Sequence, residues 1–310
     1  MADKIKNTKK PEIIDSPEEE KMFKSLRAGD WDEFIGQEKV RASLKIAISA
    51  SEKRDEPMEH TLLYGPPGLG KTTLAHLIAK GIGSQIRITS GPAIERAGDL
   101  ASILTNLGDK DILFIDEIHR LSKVVEETLY PVMEDFAIDI IIGKGPSART
   151  VRFDLPHITI VGATTRIGMI AAPLRDRFGL TQRLSFYLPE ELGDIIATGA
   201  KKLELPIDRE SILQIARRAR GTPRIALKLL KRVRDYAQVH GTGSVTPELL
   251  SRALELMEVD PVGLDDSDRR MIVSIIQKFK GGPVGLETVA ATISEDIGTV
   301  EDVIEPYLLQ

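Results

Sequence analysis

The sequence predicts an α/β fold, a parallel sheet covered by helices around a phosphate-binding loop, followed by a small all-α domain and a last helical module. Three observations carry this. Short β-rich runs at 60–64, 85–89, 111–115, 158–163 and 183–186 alternate with helical patterns, as parallel strands do when helices make the crossovers. Gly65-Pro-Pro-Gly68-Leu-Gly70-Lys71-Thr72 joins the first strand to an apolar helix running from Lys71 to about Ile82. Beyond Pro189 the strands stop, and helical periodicity covers 190–204, 208–219, 223–240 and 246–257.

Taken in order, residues 1–25 open the chain with a charged stretch, aromatic-free through residue 21, that reads as a flexible tail. The opening lacks the apolar core of a secretory signal, and no apolar run approaches the roughly 20 residues that cross a bilayer. There are no cysteines, which fits a reducing compartment, so a cytoplasmic location without membrane partners is expected. The net charge of −5 argues against a surface coated with phosphate-binding cations, though a local basic face remains open.

The large domain is expected over 26–187. Its first strand, Thr61-Leu62-Leu63-Tyr64, runs into the Walker A pattern G-x-x-x-x-G-K-[ST]. Glycines there, Gly68 and Gly70 among them, let the backbone curl so that N–H groups point inward, and the helix start adds its positive dipole end. In such a loop Lys71 reaches the β- and γ-phosphates, while Thr72 and its neighbour Thr73 stand at the helix start with the Thr72 hydroxyl available to Mg²⁺.

The strand Ile112–Ile115 is apolar throughout, as a strand buried on both faces should be. Asp116 and Glu117 follow it in a Walker B arrangement, the aspartate to hold the metal and the glutamate to orient and polarise water. Asp-Glu-Ile-His also resembles the motif of DExH helicases, but those carry two motor cores and one phosphate loop is found here. His119 therefore reads as a packing residue. Phe136–Ile142 and Thr150–Leu155, joined by Gly143-Lys-Gly-Pro-Ser147, read as a hairpin. Val151, Phe153 and Leu155 alternate there with polar neighbours, so the hairpin either packs on the parent sheet or presents these apolar side chains as a docking surface.

The next strand ends Val161-Gly-Ala-Thr164-Thr165, where a polar side chain sits beside a γ-phosphate. Pro173-Leu-Arg175-Asp-Arg177-Phe178 places two arginines at the end of a short helix. With one phosphate loop per chain, Arg177 is expected to act as a finger in a neighbouring subunit.

The small domain is expected over 188–259. Gly221-Thr-Pro-Arg224 opens one of its helices, where Arg224 could report on the phosphates through the interdomain angle. Nine basic residues lie between Arg209 and Arg234, and a solvated helix face accounts for most of them. The last module, 260–310, has helices near 265–279, 285–293 and 299–309 around a Gly281-Gly-Pro-Val-Gly285 turn, the pattern of a helix-turn-helix or winged helix.

In this order the motifs resemble those of AAA+ ATPases, and more narrowly the RuvB family. The resemblance runs from about Leu26 to Gln310. It rests on Asp32-Glu-Phe-Ile-Gly-Gln37, the phosphate loop, Asp116-Glu-Ile-His-Arg-Leu121, Glu134-Asp-Phe136, Gly143–Ser147, Gly162-Ala-Thr-Thr-Arg166, Pro173–Gly179, Gly221–Arg224 and Gly281–Leu286. It implies an AAA+ P-loop core, a helical lid and a winged helix, binding ATP/ADP and Mg²⁺. It also implies a homohexameric ring on duplex DNA that drives branch migration of Holliday junctions with RuvA and RuvC. Thr165 would be sensor 1, Arg177 the trans finger and Arg224 sensor 2. Leu26, Arg27, Ile35 and Tyr187 would line the adenine and ribose pocket. Glu134, Asp135 and Phe136 would approach nucleotide from a neighbouring subunit, and the hairpin 136–155 would dock RuvA.

Two departures stand out. The usual Arg-Pro of the nucleotide pocket is Arg27-Ala28 here. The family's basic wing is expected beyond Gln310, where this chain stops, and from Gly281 onward there are six acidic residues and no Lys or Arg, a composition that repels phosphate. A truncated module with weakened DNA binding is expected. Two other classes remain: a nucleotide-switched clamp-loader type of assembly factor, which would end in a helical collar, and a protein-remodelling ring, which would show an aromatic pore loop.

Overall fold

The computed structural model describes residues 25–142 and 149–309. The tail expected over 1–25 lies outside these apart from Ser25, as does the hairpin turn Gly143–Ser147. The core is a five-stranded parallel sheet in the order β2-β3-β6-β1-β7, built from β1 (Thr61–Tyr64), β2 (Ile86–Ser90), β3 (Ile112–Asp116), β6 (Thr159–Thr164) and β7 (Leu180–Arg183). All four sheet pairings are parallel. The three central strands are the most apolar, because helices cover both sides of them. Leu62, Leu63 and Ile112 to Ile115 are fully buried.

One strand departs from expectation. The fifth, expected at 183–186, lies at Leu180–Arg183. Its length is set by its partner: β7 pairs with β1 residue for residue from Thr61↔Leu180 to Tyr64↔Arg183. Beyond Tyr64 the neighbouring chain turns into the phosphate loop at Gly65 (φ +141°), where a Cβ would stand 2.4 Å from the Leu184 carbonyl oxygen. Ladder pairing ends with the Leu184 N–H on the Tyr64 carbonyl. The next peptide is held by a side chain instead, Gln37 donating to the Ser185 carbonyl at 2.6 Å and accepting its N–H at 3.2 Å.

On one face of the sheet, helices Glu38–Arg54 and Lys71–Ile82 share a hydrophobic cluster that continues into the lid through Tyr187, Leu192, Leu227 and Leu230. On the other, Ala97–Leu104 and Lys123–Asp135 cover Leu62, Leu113, Ile115 and Ile160. The expected hairpin is present as an antiparallel pair, β4 (Ala137–Ile142) with β5 (Arg149–Asp154). Phe136, expected in its first strand, instead caps the preceding helix in a left-handed conformation (φ 50°). Ile138 and Leu155 belong to this second cluster and Ala137 is buried, while Phe153 stays 41% exposed. The base of the hairpin is thus core and its outer strand is surface.

The lid consists of helices Pro189–Lys202, Arg209–Arg217, Pro223–His240 and Pro247–Leu256. The last module has its own small core of Met271, Val289, Ala290, Ile293, Val300 and Ile304. It holds helices Asp266–Gln277 and Leu286–Ile293, then helical turns from Ile297 to Leu308 that pass through a π-helical segment. Arg220 departs from the solvated-face expectation: it is buried, and its guanidinium joins the lid to the last module through Asp265 at 3.1 Å and Asp268 at 2.9 Å. The acidic residues of that module are also partly neutralised from within the chain. Glu295 pairs with Arg270, and Glu301 and Asp302 pair with Arg166. Among the described residues no helix is long and apolar enough to cross a membrane.

Candidate nucleotide site

The phosphate loop bends through Gly65, Gly68 and Gly70 at positive φ, the region that only glycine enters without strain. Gly70 is the N-cap of helix Lys71–Ile82 and offers no side-chain cap, so the first N–H groups of the helix have no side-chain acceptor there. Each glycine is also where something else comes close. A Cβ on Gly70 would sit 3.3 Å from the Phe34 ring, and one on Gly68 would sit 3.1 Å from Arg224 Cβ.

Lys71 is 8% exposed, and its ammonium donates to the carbonyls of Gly65 at 2.7 Å and Pro66 at 2.9 Å. Burial pulls its pKa below the usual lysine range, opposed by Asp116 and Glu117 nearby. A desolvated ammonium on two neutral carbonyls is incompletely compensated, and an anionic oxygen would satisfy it. With open helix N–H groups and space that no Cβ fills, the loop fits a polyphosphate. Thr72 and Thr73 follow Lys71, half-buried in the first turn. Asp116 closes β3, and its Oδ1 accepts the N–H of Glu117 at 3.0 Å. Among the described residues no cluster of three metal-ligating side chains exists. Mg²⁺ fits such a donor set nonetheless, since it commonly takes one or two protein oxygens and completes its shell with phosphates and water.

Glu117 is itself left-handed (φ 47°), which turns its side chain out of the strand direction toward His119. His119 Nδ1 lies 3.3 Å from Glu117 Oε2 and 2.9 Å from Thr164 Oγ1. Burial holds the His119 ring below the ordinary histidine pKa, opposed chiefly by Glu117. Thr165 stands half-buried just past the end of β6.

The lid meets the loop directly. The Arg224 N–H donates to the Gly68 carbonyl at 3.3 Å, and the buried Tyr187 hydroxyl donates to the Leu69 carbonyl at 3.3 Å. Burial pushes the Tyr187 hydroxyl pKa well up. Leu26 and Phe34 belong to the same apolar cluster as Leu69 and Tyr187. Ile35 is half-buried, and the Arg27 carbonyl accepts the Lys202 ammonium at 3.0 Å, tying this segment to the lid.

A second group gathers separately. Arg177 lies over the Tyr130 ring at 4.3 Å, pairs with Glu134 at 3.0 Å and donates to the Pro173 carbonyl at 2.6 Å. Asp135 pairs with Arg152 at 2.8 Å, and Phe136 stacks on His157 with centroids 4.3 Å apart. The structure therefore divides the expected residues into a nucleotide-loop set and a surface set of Glu134, Asp135, Phe136 and Arg177, gathered where helix Lys123–Asp135 meets the short helix before Arg177 and the base of the hairpin.

Family models match the chain from residue 26 to residue 310: the Holliday junction DNA helicase RuvB P-loop domain over residues 26–184, the RuvB AAA lid domain over 187–260 and the RuvB C-terminal winged helix domain over 261–310. Solved structures agree. An alanine-to-serine variant of RuvB from Thermotoga maritima is 46% identical, with TM-score 0.85, covering 92% of this chain and 91% of that one. A lysine-to-arginine variant gives 46% and 0.84 over the same spans. A structure of the Thermotoga maritima RuvB Holliday junction branch migration motor gives 45% and 0.83. The chain belongs to the RuvB family. It is accordingly an AAA+ P-loop ATPase of the helicase motor type, with a helical lid and a winged helix.

Sequence reasoning missed several contacts of this RuvB-family site. The packing of Phe34 and Tyr187 around Gly70 was half visible, because Phe34 lies in the Asp32–Gln37 motif and Tyr187 among the expected pocket residues. The Glu117–His119–Thr164 contact had a signal too, a histidine two positions from the glutamate, but it was assigned to packing. The partner of Arg166, 136 positions away, had none.

Proposed function

We propose that this chain binds Mg·ATP in the phosphate loop and hydrolyses it as a homohexameric ring on duplex DNA. In this reading it drives branch migration of Holliday junctions in the cytoplasm, working with RuvA and RuvC. The observation that carries the reading is the seating of Arg224 on Gly68: a lid that touches the phosphate loop through its own backbone moves when the loop's occupant changes.

The residues divide the work as follows. The N–H groups from Gly68 to Thr73 and the Lys71 ammonium bind and orient the phosphates, the ammonium exchanging its two carbonyl partners for phosphate oxygens. Thr72 and Asp116 would hold the metal, which would neutralise phosphate charge. The Glu117 carboxylate orients water and accepts its proton, and Thr165 marks the γ-phosphate position. Leu26, Arg27, Ile35 and Tyr187 enclose the nucleoside side. Arg224 reads phosphate charge from the lid, and Arg177, with Glu134 to Phe136 beside it, completes a neighbour's site. The exposed outer strand of the hairpin, with Phe153 on it, supports docking of RuvA there. DNA is expected to engage through residues 261–310, the match to a winged helix.

Calorimetry and steady-state hydrolysis test the site together. Lys71→Ala should abolish ATP binding, and Glu117→Gln should bind ATP while losing turnover. ATP binding by neither the wild type nor Glu117→Gln, with magnesium present, would overturn the reading.

A further inference from the structure

A continuous set of polar contacts runs from Glu117 to the winged helix. Glu117 Oε2 lies 3.3 Å from His119 Nδ1, which lies 2.9 Å from Thr164 Oγ1. That hydroxyl oxygen accepts the backbone N–H of Arg166 at 2.9 Å. The Arg166 guanidinium then grips Asp302, Nε at 2.8 and 3.1 Å from the two carboxylate oxygens and Nη2 at 2.5 Å, with Glu301 at 3.1 Å.

The His119 ring thus stands between the Glu117 carboxylate and the Thr164 hydroxyl, whose oxygen also accepts the Arg166 N–H, so displacing the tip of β6 displaces the ring beside the carboxylate. Thr164 is fully buried and the His119 side chain only 7% exposed, so neither group is free to wander.

The two grips on the winged helix are unequal. Arg220 and Asp268, which join it to the lid, have side chains 9% and 0% exposed. Arg166 and Asp302, which join it to the ATPase core, are 28% and 33% exposed. When lid and core rotate, the more exposed pair yields first.

We propose that His119, Thr164 and Arg166 are positioning residues for the Glu117 carboxylate, and that Asp302 couples them to the seat of the winged helix on the ATPase core. This rests on Glu117 as the water-orienting group. The winged helix, when it sits on Arg166, holds the tip of β6 and with it the carboxylate; when it lifts, the carboxylate loses its aim.

The test is steady-state ATP hydrolysis by the full chain, with nucleotide affinity measured alongside. His119→Ala and Asp302→Ala should each lower kcat, by about tenfold for the former, with KM for ATP unchanged. His119→Asn, whose amide offers both a donor and an acceptor between Thr164 and Glu117, should recover most of the loss. The double variant His119→Ala/Asp302→Ala should fall no further than the worse single, because both act through one path. Wild-type kcat in His119→Ala or in Asp302→Ala, an Asn variant no better than Ala, or losses that multiply in the double variant would each overturn the proposal. Asp302→Ala, at a half-exposed position, keeps the test open where a buried His119 variant fails to fold. Full turnover in Glu117→Gln would remove the underlying reading instead. An inactive Glu117→Gln beside normal His119→Ala and Asp302→Ala variants would sink this proposal alone.

Discussion

Arg224 and Gly68 meet backbone to backbone, the N–H of one on the carbonyl of the other at 3.3 Å, so the lid helix Pro223–His240 begins against the bend of the phosphate loop. Gly68 has φ +79° and little room beside it: a methyl there would stand 3.1 Å from Arg224 Cβ, a tight contact, and 3.6 Å from Thr222 Cβ. Two constraints therefore coincide at one residue, backbone hand and lid contact.

Gly68→Ala is expected to weaken ATP binding at least tenfold by calorimetry. Left-handed backbone alone costs a side-chain-bearing residue about 1–2 kcal/mol. Gly83→Ala is the control for left-handed strain away from the loop, since Gly83 has φ +76° and nothing within 4 Å of its missing methyl. Normal ATP affinity in Gly83→Ala with a loss in Gly68→Ala places the effect in the phosphate loop. Wild-type affinity in Gly68→Ala would show that the loop tolerates displacement of Arg224.

Arg177→Ala should reduce hydrolysis by about 10³-fold or more, the scale of a lost arginine finger, with ATP affinity little changed. Its partner Glu134 is more than half exposed, so the unfolding midpoint should move little. Mixing Arg177→Ala with Glu117→Gln subunits, each inactive alone, should restore part of the turnover by joining an intact finger to an intact carboxylate. No recovery on mixing rules out the trans role.

How much of this was legible in the sequence follows from where the forces act. Ile112–Asp116 was readable because burial on both faces demands unbroken apolar residues. The phosphate loop was readable because Gly68 and Gly70 occupy backbone conformations that other residues avoid. β7 was displaced by three residues because its end is set by the turn at Gly65 on another strand and by the Gln37 side chain, not by its own composition. The pairings Arg166–Asp302 and Arg220–Asp268 left no local trace. Charges at those positions fit a solvated face or a phosphate-repelling surface equally well until the fold brings them together.

Arg220→Ala and Asp268→Ala test what that second pairing holds. Asp268 is fully buried: burial pushes its carboxyl up, while the Asp265 N–H and then Arg220 oppose the shift. Losing Asp268 would leave the Arg220 guanidinium with Asp265 and the Tyr307 ring, 4.4 Å away. Removing one member of a buried pair costs about 3–5 kcal/mol, so calorimetry of Asp268→Ala should show the winged helix melting early. Asp302→Ala, at the more exposed grip, should cost about 1 kcal/mol or less. Equal costs at the two sites would contradict the ranking of the two grips.

His60 supplies a pH dependence whose sign the geometry fixes. Its Nδ1 accepts the Ile160 N–H at 2.9 Å, so Nε2 carries the hydrogen and donates to the Met133 carbonyl at 3.1 Å. The neutral ring thus ties β6 to the helix Lys123–Asp135, and a second proton would set donor against donor at Nδ1. Burial accordingly pushes the folded pKa below 6.5, opposed by the Met133 contact. A depressed folded pKa gives stability that is complete above 6.5 and is lost as pH falls from there through the folded value. Urea unfolding midpoints of the wild type at about pH 8 and about pH 5.5 should therefore differ more than those of His60→Gln, which keeps a donor and an acceptor but does not titrate. Identical pH slopes for the two proteins would mean that His60 takes up its proton without cost in the folded chain.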